Sequence, residues 1–103
     1  MSQHVESSVP RGRWAITKDA PLLWRSWDDD EYVVYSTASG DTHLINEVTA
    51  EVLRQLERSE LEFSVLIRNV AETLGSEPDR RLETHVGRLL VYLDEIGLVE
   101  SVS

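Results

Sequence analysis

The chain has 103 residues, 41% of them hydrophobic and 28% charged, which is typical of a soluble protein with one domain and a modest core. With 19 acids and 10 bases its formal net charge is -9, and an acidic surface repels the phosphates of nucleic acids. It has no cysteine, so disulfides, zinc–thiolate clusters and thiol catalysis are excluded. No apolar run approaches the ~18 residues of a membrane helix, and the N-terminus lacks the apolar core of a signal peptide. These features predict a cytoplasmic protein with no membrane partner.

The N-terminal segment, residues 1–12, is rich in serine and poor in apolar side chains. This composition predicts a flexible tail, followed by a single domain over residues 13–103. Residues 13–17 and 22–27 are apolar enough to form two short strands separated by a turn. Four acids at 28–31 then follow. They could bind a hard cation, but they lack the alternating spacing of a calcium loop, and a solvated turn that prevents pairing with another chain is the better interpretation.

A β-hairpin that leads directly into a helix is predicted at the centre of the chain. Residues 32–35 are β-branched or aromatic, and residues 42–45 are expected to return antiparallel to them. The turn between them, residues 36–41, contains Gly40, which can take a positive φ without steric cost. Asn46 is expected to cap the helix. If the strands meander, residues 42–45 form an edge of the sheet.

Three helical patterns follow the hairpin. Ser64 is expected to cap the second helix and Gly75 to end it in a left-handed conformation. The third and longest helix is expected to start at residues 76–79, with Pro78 at the first helical position, and to end at Gly97. The predicted apolar stripes are Val48, Val52, Leu53 and Leu56 in the first helix, Leu66, Ile67, Val70 and Leu74 in the second, and Leu82, Val86, Leu89, Leu93 and Ile96 in the third.

The third helix has more apolar surface than a single stripe requires. Leu90, Val91 and Tyr92 widen its apolar band, so that the helix has enough apolar surface for nearly two buried faces. Residues 98–102 are expected to fold back as a short terminal strand.

The known signatures of catalysis are absent from the sequence. It contains no glycine-rich phosphate loop, no dinucleotide fingerprint, no His-Glu-x-x-His and no Gly-x-Ser-x-Gly. The chain is therefore predicted not to be an enzyme and to need no cofactor. A metal site formed by Asp41, His43 and His85 is an alternative, but two partly exposed histidines at the surfaces of their elements are the better interpretation.

Several short motifs of the chain, from the second predicted strand to the end of the third helix, carry a resemblance to a known family. They are Leu-Trp-Arg-Ser-Trp-Asp at 23–28, Val-Val-Tyr at 33–35, Ser-Gly-Asp-Thr-His-Leu-Ile-Asn at 39–46, Ala-Glu-Val-Leu at 50–53 and Leu-Asp-Glu-Ile-Gly-Leu-Val-Glu at 93–100. Together they resemble the PqqD-like family of small peptide chaperones, and most closely the branch associated with the HPr-related A gene system. Family members usually have proline after the Asn or Asp that follows the second hairpin strand, whereas Glu47 stands here.

The resemblance implies a winged-helix-like α+β fold, with an N-terminal three-stranded antiparallel sheet packed on a C-terminal three-helix bundle. Such a domain, often called a precursor-peptide recognition element, binds a leader or client peptide as an added strand along its third strand, beside its third helix. It presents the peptide to a modifying enzyme. Members of the HPr-related branch are associated with a kinase-like protein related to HPr kinase, which is therefore an expected partner.

The residues themselves also predict a peptide groove. An edge strand has unpaired backbone groups that an extended peptide can satisfy, and the wide third helix could form the other wall. The candidate peptide-binding residues are Asp41, Thr42, His43, Leu44, Ile45, Leu82, His85, Leu89 and Tyr92.

Two alternatives to the groove remain open at this point. Both surfaces could belong to the core or to a homodimer contact, so the chain is expected to be a monomer or a homodimer. A winged-helix DNA-binding regulator is the second alternative, because Arg80, Arg81 and Arg88 lie on the predicted third helix. The acidic charge and the order of strands before helices argue against it.

Overall fold

The structure, a computed structural model, describes residues 12–18, 21–26, 31–37 and 40–102. Residues 1–11 of the predicted tail and the acids at 28–30 lie outside the described residues. The elements in chain order are β1 (Arg13–Ile16), β2 (Leu22–Ser26), β3 (Glu31–Ser36), β4 (Thr42–Asn46), α1 (Glu47–Arg58), β5 (Leu61–Glu62), α2 (Phe63–Leu74), α3 (Arg80–Glu95) and β6 (Val99–Val102).

The strands form two antiparallel sheets of three strands each. The hairpin sheet has the order β2-β3-β4, and the other sheet has the order β5-β1-β6. The predicted α+β class, with a three-stranded antiparallel sheet ahead of three helices, is confirmed. The predicted terminal strand is also present as β6 and pairs with β1. The two-residue strand β5, which pairs with the other edge of β1, was not predicted.

The hairpin and the start of α1 have the predicted local chemistry. Gly40 has φ 79°, the left-handed conformation expected in the turn. Asn46 is extended, and its side-chain oxygen accepts a hydrogen bond from the backbone N–H of Thr49 at 2.9 Å. Strand and helix are therefore joined without a loop, so the position of β4 is fixed by α1.

The predicted starts of α2 and α3 were wrong. Glu62, not Ser64, precedes α2, because β5 pairs with β1 up to that residue and leaves no room for a separate capping turn. Asp79 caps α3 by accepting from the N–H of Leu82 at 3.0 Å, so Pro78 lies before the helix rather than at its first position. The end of α2 was predicted correctly, since Gly75 has φ 70°.

The core lies between the three helices and one face of each sheet. Helix α1 is at its centre and packs against α2, α3, β1, β3 and β4. Most members of the predicted stripes are buried, with Val48, Leu74, Leu82, Leu89 and Ile96 half-buried at the margin. Among the described residues, the core side chains with no solvent exposure are Val34, Val52, Leu53, Leu66, Val70, Val86, Leu90 and Leu93.

The extra apolar width of α3 is divided between the core and the surface. Leu90 is fully buried, whereas Val91 is 48% exposed and Tyr92 is 51% exposed. None of the helices in the described part of the chain is long and apolar enough to cross a membrane.

Candidate peptide-binding edge and sheet face

Strand β4 lies at an edge of the hairpin sheet. It pairs with β3 on one side, and no strand among residues 12–18, 21–26, 31–37 and 40–102 pairs with its other side. The sequence-based prediction that residues 42–45 form an edge strand is therefore confirmed. We refer to this unpaired side as the β4 edge.

The hydrogen bonding of the hairpin determines which backbone groups point out from the β4 edge. The N–H of Ser36 donates to the carbonyl of Asp41 at 2.8 Å, so residues 36 and 41 are a hydrogen-bonded pair. In an antiparallel ladder such pairs alternate with non-hydrogen-bonded pairs. The N–H and C=O groups of His43 and Ile45 therefore form hydrogen bonds with β3, whereas those of Thr42 and Leu44 point away from β3.

The face of the hairpin sheet that points away from the core has several apolar side chains exposed to solvent. Leu23 is 55% exposed, Tyr35 is 39% exposed and Leu44 is 61% exposed. A depression of about 310 Å³ lies on this face, lined by Leu23, Arg25, Val33, Tyr35 and Thr42. We call this surface the outer sheet face.

Leu23, Arg25, Val33 and Tyr35 were not among the predicted site residues. A signal for them was present in the sequence, because residues 32–35 are a continuous run of apolar and aromatic residues. Since side chains alternate across a strand, such a run makes both faces of the sheet apolar, although only one face can cover the core.

The five candidates near β4 have different environments. Thr42 and Leu44 are exposed on the outer sheet face, and Asp41 is exposed beside the turn. Ile45 is only 7% exposed and packs in the core, and His43 is half-buried on the same side of the strand. A peptide added at the β4 edge would meet these last two side chains only through its inward-facing residues.

The four candidates on α3 lie in one stripe along the helix, at spacings of three and four residues. Leu82 and Leu89 are half-buried, and His85 and Tyr92 are exposed. The elements that pack most extensively against α3 are α1, α2 and β6, whereas β4 packs mainly against β3 and α1. That the α3 stripe forms the second wall of a groove at the β4 edge therefore stays a prediction.

The inner face of the hairpin sheet is fixed to α1 by a cluster of aromatic rings and one cation. The guanidinium carbon of Arg54 lies 5.0 Å from the ring centroid of Trp24 and 4.9 Å from that of Tyr32. The two rings meet edge to face, with centroids 6.5 Å apart. Both distances to Arg54 are within the range of cation–π attraction, so one cation holds β2 and β3 on α1.

The alternative metal site is not assembled. In the part of the chain that the structure describes, Asp41, His43 and His85 do not come together, and no other group of three or more metal-binding side chains does. The Nε2 atom of His43 is buried and has no hydrogen-bond partner among these residues.

Comparisons with protein-family models, curated proteins and solved structures give no match to this chain. The resemblance to PqqD-like proteins therefore depends on the sequence motifs alone.

Proposed function

We propose that this protein is a non-catalytic peptide-recognition module, or peptide chaperone, which binds an extended client peptide by strand addition at the β4 edge. The observation that carries the proposal is the outward orientation of the N–H and C=O groups of Thr42 and Leu44. A client strand can satisfy all of these groups without disturbing any bond of the existing ladder.

The expected affinity is modest. Thr42 and Leu44 together have two N–H and two C=O groups, so they can form four hydrogen bonds at about 1 kcal/mol each. Two or three apolar contacts add about 2 kcal/mol each, and ordering the peptide costs about 2–5 kcal/mol. The balance corresponds to micromolar or weaker binding, which suits a carrier that must release its client to an enzyme.

The resemblance to PqqD-like proteins supports a function in which this module binds the client and a partner enzyme modifies it. The proposed client is a leader or precursor peptide, and the proposed partner is a modifying enzyme such as a kinase-like protein related to HPr kinase. A cytoplasmic location is part of the proposal, since the absence of cysteine suits a reducing compartment.

A selection from displayed random peptides, with the full chain as bait, tests the proposal. Leu44→Pro removes the outward N–H of residue 44 but no bond to β3, and Leu44→Ala is the matched control that keeps this N–H. We expect selected peptides to bind wild type, to bind Leu44→Ala with a small loss, and to bind Leu44→Pro at least about tenfold more weakly. Peptides that bind Leu44→Pro as well as wild type would exclude strand addition at this edge.

A winged-helix DNA-binding regulator is the second candidate function, because of the arginines on α3. Arg80, Arg81 and Arg88 are all exposed, and among the described residues none of them forms an ion pair. Gel shift of a DNA duplex at low salt tests this candidate. If α3 binds phosphates, affinity should fall steeply as salt is raised, and Arg81→Ala should reduce the slope by about one charge.

A further inference from the structure

Two acidic residues lie near the end of β4 that joins α1. Glu47 follows Asn46 directly as the first residue of α1, and Glu31 of β3 pairs with Asn46 on the side of β4 away from the β4 edge. Both carboxylates are on exposed residues, and neither forms an ion pair with another residue that the structure describes. A strand added at the β4 edge would therefore have acidic residues near one of its ends.

The net charge of the chain disfavours a second copy as the occupant of the β4 edge. An antiparallel pair of β4 strands would bring two copies of the chain into contact, each with a formal charge of -9. This like charge gives a long-range repulsion between the copies.

We propose that the client of the β4 edge is a basic peptide, with Lys or Arg at the end that lies next to Glu47 and faces Glu31 across Asn46. This inference rests on the proposed strand addition and adds the chemistry of the partner. The client residue that pairs with Leu44 has its side chain on the outer sheet face, where an apolar group would contact Leu44. The client is therefore an extended segment with alternating apolar residues and a basic end.

If charge complementarity of this kind contributes to binding, the affinity for the client should depend measurably on the salt concentration. The Debye length falls from about 30 Å at 0.01 M salt to about 8 Å at 0.15 M, and the ends of the edge are exposed to solvent. Exposed ion pairs are individually weak, so we expect the affinity for a basic client to fall about threefold to tenfold over this range. A neutral client should show almost no change.

The test uses the full chain and a displayed library in which apolar residues alternate and the terminal residues are randomised. We expect Lys and Arg to be enriched at one end of the peptides that wild type retains and Leu44→Pro does not. Glu47→Gln should weaken binding of a selected synthetic peptide about twofold to fivefold, and Glu31→Gln, one strand further from the client, should weaken it less. Glu72→Gln, which makes the same charge change at an exposed position of α2, should leave the affinity unchanged.

The other outcomes separate the charge inference from the proposed function. Selected peptides with neutral or acidic ends that still require the N–H of residue 44 would overturn the inference and leave strand addition intact. Peptides retained equally by Leu44→Pro would overturn both. Sedimentation that shows a dimer, converted to a monomer by Leu44→Pro, would identify a second copy as the occupant and overturn the basic client. Slow exchange of the Thr42 and Leu44 amides in the isolated monomer would show that the chain covers its own edge, and would overturn both.

Discussion

The indole Nε1 of Trp24 donates to the carboxylate of Glu57, with 3.0 Å to each of its two oxygens. Trp24 is on β2 and Glu57 is near the end of α1, so this bond joins one edge strand of the hairpin sheet to the central helix. Because successive side chains of a strand point to opposite faces, holding Trp24 against α1 directs Leu23 and Arg25 to the solvent. The side chains of the outer sheet face are thus exposed because those of the inner face pack against α1.

Replacing Trp24 by Phe should reduce stability by about 1–2 kcal/mol. The variant keeps an aromatic ring next to Arg54 but removes the N–H that Glu57 accepts, and a hydrogen bond to a charged group contributes about this much. Urea unfolding followed by circular dichroism measures the change. Arg25→Ala, on the opposite face of the same strand, should stay within about 0.5 kcal/mol of wild type. Equal losses in the two variants would show that the contact with α1 contributes nothing specific.

The cap between β4 and α1 should be sensitive to the chemistry of Asn46 rather than to its size. Asn46→Ala removes the oxygen that accepts from Thr49, and we expect it to cost about 1 kcal/mol of unfolding free energy. Asn46→Asp keeps an acceptor in the same place and should be nearly neutral. Thermal or urea unfolding of these two variants shows whether stability depends on the capping oxygen of residue 46 or on the amide side chain as a whole.

A leucine in the core and a leucine on the surface should respond very differently to truncation. Leu53 has no solvent exposure and Leu44 is 61% exposed. Leu53→Ala leaves a cavity at the centre of the core and should cost about 2–5 kcal/mol, whereas Leu44→Ala should cost less than about 0.5 kcal/mol. A large loss of stability in Leu44→Ala would mean that this side chain is covered by other parts of the chain.

Much of the hairpin could be predicted from sequence because its chemistry is local. Gly40 supplies the conformation of the turn, and Asn46 caps a helix that starts one residue later. The edge position of β4 followed from the same logic, since three consecutive strands joined by short turns form a meander.

The second sheet could be predicted only in part, because its pairings are not local. Strand β1 pairs with β6, which lies at the other end of the chain, and no local pattern specifies that partner. Strand β5 has only two residues and pairs with β1, and Arg13 of β1 forms exposed ion pairs with Glu62 at 3.9 Å and with Glu60, just before β5, at 3.2 Å. This pairing is also why the expected cap of α2 at Ser64 was wrong.

The sequence predicted the backbone of the candidate site, which is the edge strand β4, better than it predicted the side chains that line the site. Ile45 was expected in the groove but is buried, because the pleat turns it toward α1. The outer sheet face could not be predicted from the aromatic and β-branched run at residues 32–35, because such a run indicates a strand but not which of its two faces the core covers.

Client binding should be abolished by a charge on the outer sheet face in a variant that stays folded. Leu44→Asp places a carboxylate beside the incoming strand at an exposed position, so we expect the loss of binding with an unchanged circular dichroism spectrum. The proposed wall on α3 is better tested by Tyr92→Ala than by Leu89→Asp, since Tyr92 is 51% exposed and Leu89 is half-buried. We expect Tyr92→Ala to weaken binding about fivefold to thirtyfold. Full binding by folded Leu44→Asp would rule out this surface.

Hydrogen exchange of the β4 amides, measured with and without a selected peptide, tests strand addition most directly. In the isolated chain the amides of Thr42 and Leu44 should exchange rapidly and those of His43 and Ile45 slowly, because only the latter two donate to β3. Saturating peptide should slow exchange at Thr42 and Leu44 by about tenfold or more and change the other two far less. Bound peptide that leaves Thr42 and Leu44 exchanging at their original rates would contradict strand addition at the β4 edge.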